Sequence, residues 1–175
     1  MKSIKINTLK TYKKGEILLK QGEIAKYGYL VKKGCLKSYT VDNVGKEHIM
    51  QFAPENWMIS DLDSFTNQVP SSVSIETIED CEIFLISKSD FIDIDTFDKE
   101  VVVDIANKFR NNLIASNKRI LGLLSATSEQ RYIDFTETYP TLVQRLPLKL
   151  IAAYIGVTPE YLSGIRRKMA KKSEN

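Results

Sequence analysis

The chain has 175 residues, 43% of them hydrophobic and 27% charged, with a formal net charge of +3. This is the composition of an ordinary globular protein of one domain or two small ones, which excludes wholesale disorder, and no run approaches the ~20 apolar residues of a bilayer-spanning helix. Met1 to Lys5 has charge but no apolar run behind it, and Cys35 and Cys81 are the only cysteines, so no secretory signal, disulfide framework or cysteine metal cluster is expected, and a reduced cytoplasmic setting fits.

Up to about Phe91 the chain reads as β-structure. Short apolar or alternating runs recur at Ile17 to Leu19, Tyr29 to Val31, Leu36 to Val41, His48 to Phe52, Val73 to Ile78 and Cys81 to Ile86. Turn residues punctuate them at Lys14-Gly15, Gln21-Gly22, Lys33-Gly34, Asp42 to Gly45 and Ala53-Pro54. Strands this short and this frequent predict a sandwich or barrel. Asp90 to Glu100 is acidic, and beyond it the period changes. Val102, Ala106, Phe109, Leu113, Ser116, Ile120 and Leu123 alternate steps of four and three, an a/d heptad. A helix from about Lys99 to Leu124 is longer than a small core covers, so it is expected to pair with a copy of itself; the alternative is a helix packed only on its own barrel. Thr127-Ser128-Glu129-Gln130 then has the form of a capping box, and its helix stops at Tyr139-Pro140.

The last segment, Leu148 to Arg167, meets each demand of a helix-turn-helix. Ala152 is the small residue that lets a second helix approach, and Gly156 supplies the left-handed turn. Ile151, Ile155, Val157, Leu162 and Ile165 form the apolar wedge, Thr158 suits the N-cap, Pro159 the first turn, and Glu160 the helix dipole. The second helix is expected to present Glu160, Tyr161, Ser163, Gly164 and Arg167 to the major groove of double-stranded DNA, with Thr158 and Pro159 at its start also among the DNA-binding residues. Arg166, Arg167, Lys168 and Lys149 supply positive charge for phosphates within a basic stretch that begins at Arg145.

At this point the chain resembles the Crp/Fnr family of bacterial transcription regulators. The likeness rests on Lys14 to Ile17, Gln21-Gly22-Glu23, Tyr29 to Gly34, Gly45-Lys46-Glu47 and Glu79 to Glu82, then on Leu124 to Thr127 with Arg131-Tyr132, and on Ile151 to Arg167. It implies an α+β protein: a cyclic-nucleotide-binding-like, jelly-roll-like double-stranded β-roll over residues 1–97, a long dimerisation helix over 98–125, and a helix-turn-helix domain over 126–175. It also implies a homodimer on a two-fold symmetric DNA site and, by resemblance alone, contact with RNA polymerase.

The family's cyclic-nucleotide binders carry a Gly-Glu pair and, further on, an Arg-Ser or Arg-Ala pair. Here the effector pocket maps onto Met58, Ile59, Ser60, Asp61, Leu62, Ser71 and Ser72. Ser71 stands where arginine would pair with the cyclic phosphate, and Asp61 stands where the glutamate would meet the ribose. Cyclic AMP is therefore not expected as effector, and no cofactor is predicted. Two cysteines are too few for an iron–sulfur cluster, and His48, in an alternating strand, reads as a sheet residue rather than a haem ligand. Gly164 and Pro159 replace arginines that read guanine in family members. Six residues follow Met169, which leaves no room for most of the usual two-stranded wing. No membrane partner is expected. One histidine cannot build a multi-histidine metal site, and no activated nucleophile or phosphate-cradling loop is evident, so an enzyme is not expected. The competing reading is a ligand-binding or protein-interaction β-roll with a degenerate DNA-binding end.

Overall fold

A computed structural model of the chain describes residues 8–92 and 99–173. The expected domain boundary at 97/98 and the residues at both termini lie outside them. Two compact units emerge, residues 1–113 and 114–175, divided within one long helix.

The first unit is a roll of two four-stranded antiparallel sheets. Strands β1 (Thr8–Tyr12), β8 (Cys81–Ser87), β3 (Tyr27–Lys33) and β6 (Met58–Ile59) form one sheet in that order. Strands β2 (Ile17–Leu19), β7 (Ser74–Thr77), β4 (Leu36–Val41) and β5 (Glu47–Ala53) form the other. Alternation explains the fold: Leu19, Tyr29, Val31, Leu36, Ile59, Ile75, Ile83 and Leu85 point inward from the two sheets and make one core. On β4 the alternate face carries Lys37, which is nearly buried yet bonded to Glu47 at 2.9 Å and Glu76 at 3.3 Å. A short helix α1 (Leu62–Asn67) follows β6, and α2 (Lys88–Ile92) follows β8.

The two cysteines are structural. Cys35 and Cys81 are both buried, and burial pushes the Cys81 thiol up to about 11. Both thiols should therefore resist Ellman's reagent at pH 8 in the folded protein and react fully in denaturant. Stoichiometric reaction of either one before unfolding contradicts this assignment.

Helix α3 (Lys99–Ser125) spans the boundary between the units. In its first part Asn112 donates to the Met58 carbonyl at 2.6 Å, which anchors it to the roll. In the second unit, α4 (Ser128–Thr138), α5 (Leu148–Ile155) and α6 (Pro159–Ser173) pack around Phe135, Tyr139, Leu142, Ile151, Ile155 and Leu162. The rings of Phe135, Tyr139 and Tyr154 contact one another with centroids 5.5–5.8 Å apart. Thr127 caps α4 by accepting from the Gln130 N–H at 3.2 Å, as its sequence predicts. Among the described residues no helix is long and apolar enough to cross a membrane.

Candidate functional site

The helix-turn-helix is built from local rules. Helix α5 follows Pro147 and is closed by Gly156, whose φ of +76° and N–H to the Ala152 carbonyl form a left-handed cap. Thr158 then accepts from the Tyr161 N–H at 3.2 Å and starts α6. Ile151, Ala152, Leu162 and Ile165 are buried, so the wedge holds the two helices together.

Two arginines fix this motif from behind. Arg131 on α4 donates to the Ile155 carbonyl at 2.7 Å, the Ala126 carbonyl at 2.9 Å and the Ser128 hydroxyl at 3.1 Å. Arg119 on α3 donates to the Tyr154 carbonyl at 3.2 Å and sits 4.6 Å from the centre of the Tyr154 ring. Burial shifts its guanidinium below the usual range. The last carbonyls of α5 thus meet two cations, which suits the negative end of a helix dipole. In the sequence Arg131 belongs to a family motif and Arg119 is one of the charges off the apolar stripe of its helix; nothing there ties either to α5, because only tertiary structure brings them to it.

The outer side of α6 leaves Glu160, Tyr161, Gly164, Arg166, Arg167 and Lys168 exposed, with Pro159 half-buried, and Lys149 on α5 is exposed as well. Gly164 has open space where a side chain would stand. Besides Thr158, whose hydroxyl caps α6, two more of the expected contact residues are engaged within the chain. Ser163 is half-buried and donates to the Pro159 carbonyl at 3.0 Å, and Lys168 reaches Glu129 at 3.4 Å. The helical period turns the hydroxyl of Ser163 back on its own helix instead of outward.

Along α3, Val102 and Phe109 are half-buried, whereas Ala106, Leu113, Ser116, Ile120 and Leu123 are exposed. Leu123 nonetheless approaches to 3.5 Å of where a Gly156 side chain would begin, so it leans on the helix-turn-helix. Leu124, at 79% exposure, joins Leu121 at 63%, Leu113 at 61% and Ile120 at 53% as the more open apolar positions.

The seven residues of the expected effector pocket divide. Met58 and Ile59 are buried strand residues, Leu62 is exposed, and Ser60 donates to the Tyr27 carbonyl at 3.1 Å. Asp61, Ser71 and Ser72 do converge. Asp61 caps α1 by accepting from the Ser64 N–H at 3.2 Å, and accepts from the Ser72 N–H at 2.9 Å and the Ser72 hydroxyl at 3.1 Å. The Ser71 hydroxyl lies 2.9 Å from the same carboxylate oxygen. Burial works to raise the Asp61 carboxyl, and these hydrogen bonds outweigh it and hold the group below the ordinary range. His48 pairs with Asp42 at 2.8 Å on the exposed β4–β5 hairpin. No group of three or more His, Cys, Asp or Glu among the described residues is placed to hold a metal ion.

A two-sheet roll, a long helix and a helix-turn-helix in this order define the Crp/Fnr fold, and solved structures share it. FixK2 from Bradyrhizobium japonicum superposes with a TM-score of 0.75 at 20% identity, covering 95% of this chain and 85% of that one. TTHA1359 from Thermus thermophilus, a transcriptional regulator of the CRP/FNR family, gives 0.69 at 16% identity, covering 94% and 87%. The global regulator CLP from Xanthomonas campestris, responsive to c-di-GMP, gives 0.72 at 13% identity, covering 95% and 87%. Residues 9–95 match the family model of the cyclic nucleotide-binding domain. No curated protein matches the chain by sequence.

Proposed function

We propose that the chain is a cytoplasmic, non-enzymatic transcription regulator that binds double-stranded DNA as a homodimer, with α6 in the major groove. The observation that carries this is the α6 surface. A capped, wedge-anchored helix presents Glu160, Tyr161 and Gly164 on the outside, with Arg166 and Arg167 exposed beyond them. Glu160 suits acceptance from a cytosine amino group, and the arginines suit phosphates. The exposed Leu113, Ile120 and Leu124 support pairing through α3, because a lone helix gains nothing from apolar residues in water. A serine in place of the phosphate-binding arginine supports a roll that is not gated by cyclic nucleotide. Contact with RNA polymerase belongs to this reading through the fold it shares with regulators.

Selection from random genomic fragments, followed by gel shift across a salt series, tests it. The chain should retain a selective set of sites with two chains per site. Replacing Arg166 and Arg167 together with alanine removes two contacts from each of the two chains, and should weaken binding to all sequences and flatten the salt slope by about 3.6. Replacing Glu160 should instead change which sites are chosen. A chain that selects nothing even at low salt leaves the other reading, a ligand- or partner-binding roll whose DNA-binding end has decayed.

A further inference from the structure

Asp61 joins the end of β6 to a segment ten residues further along the chain. One of its carboxylate oxygens serves Ser64 at the start of α1, and the other serves Ser71 and Ser72 just before β7. The Ser71 hydroxyl also lies 2.8 Å from the Val73 carbonyl, so its single proton serves one acceptor at a time. Around them the loop is closed by Ser64, whose hydroxyl accepts from the Ala25 N–H at 2.8 Å and donates to the Val69 carbonyl at 2.6 Å. Each donor to Asp61 is neutral. Two of the three residues supplying them lie outside α1, so this is more than a helix cap.

We propose that Ser64, Ser71 and Ser72 form an anion cradle whose resident ligand is the chain's own Asp61 carboxylate, which locks this part of the roll closed without a diffusible anion. Donors grouped around one oxygen are what an oxyanion requires, and a carboxylate on a fixed backbone meets them without the entropy lost by a free ligand. A phosphate or carboxylate arriving from solution would find the donors taken and a negative charge beside them, with no guanidinium to offset it. The residues present therefore do not fit a cyclic phosphate, and any small-molecule effector of this roll is uncharged at this end. The inference holds whether or not the chain binds DNA.

Thermal unfolding of the full chain tests it, followed through Trp57, which lies next to β6. Wild type, Asp61→Ala and Asp61→Asn are compared in sodium chloride, acetate and phosphate at equal ionic strength, with a further arm containing cyclic AMP. Asp61→Ala should melt about 5 °C lower and regain part of that in acetate or phosphate but not in chloride. Wild type should show only the general stabilisation that phosphate gives any folded chain, less than Asp61→Ala gains, and Asp61→Asn should fall between the two. Three results overturn the proposal: an Asp61→Ala chain as stable as wild type, a loss that no anion restores, or a wild type raised by cyclic AMP or raised by phosphate as much as Asp61→Ala is. The second makes Asp61 a helix cap only. If Asp61→Ala does not fold, Asp61→Asn decides, and equal stability with wild type then overturns it.

Discussion

Gly34→Ala is expected to destabilise the β-roll by about 4 kcal/mol, far more than a methyl group suggests. Gly34 opens the β3–β4 turn with φ of +94°, where an L side chain is strained. A β-carbon there would stand 2.7 Å from the Asp80 carbonyl, 2.6 Å from the Cys81 sulfur and 3.0 Å from the Cys81 α-carbon. Two of these are backbone atoms at the start of β8, which pairs with both β1 and β3. Relief therefore requires shifting a strand in the middle of its sheet. Gly45→Ala is the control. Its φ is +80° but nothing lies within 4 Å, so it should lose only the conformational part, about 1 kcal/mol. Urea unfolding followed through Trp57 separates the two variants. Equal losses rule out the close approach at Gly34 as the cause.

Arg131→Ala should lower the stability of the helical unit by about 3 kcal/mol. Three hydrogen bonds disappear at once, and the carbonyls of Ile155 and Ala126 lose their charged donor. Ile155 is the last residue of α5, immediately before the Gly156 turn, so the loss falls on the joint that sets the angle of α6. Under the proposed function, DNA affinity should fall with stability even though Arg131 lies on α4 and not on the α6 surface. Arg131→Lys keeps the charge but cannot serve three acceptors in a plane, and should recover less than half of the loss. Circular dichroism of the helical transition measures the first effect and gel shift the second. A lysine variant that matches wild type shows that charge alone matters.

The features legible in the sequence were those set by near neighbours. Gly156, Thr158 and Pro159 specify the turn through residues no more than a few positions apart, and Thr127 specifies the start of α4 in the same way. The runs that became β2 to β5, β7 and β8 were legible because alternation is a local property. Strand β1 was not, because Thr8–Tyr12 is held by pairing with Cys81–Ser87. Two-residue β6 and six-residue α1 are too short for either period to register. The heptad marked an apolar stripe on α3 but not its phase, since only packing shows Leu123 leaning toward Gly156 while Leu124 stays open. Asp61 could be read as an acidic residue near Ser71. Its closure onto Ser71 and Ser72 depends on a loop that brings both to one oxygen.

The placement of β1 beside β8 also sets a timetable. The first strand of the roll has no partner until the chain has grown about 70 residues further, roughly 4–14 seconds on a ribosome adding 5–20 residues each second. Until then the nascent roll lacks the strand that lies between β1 and β3, and its sheet edges stand open. The helices that follow make mostly local contacts, and such structures assemble in microseconds to milliseconds. The slow phase of refolding therefore belongs to the roll, and a chaperone's interval with this chain falls between the emergence of Tyr12 and that of Ser87.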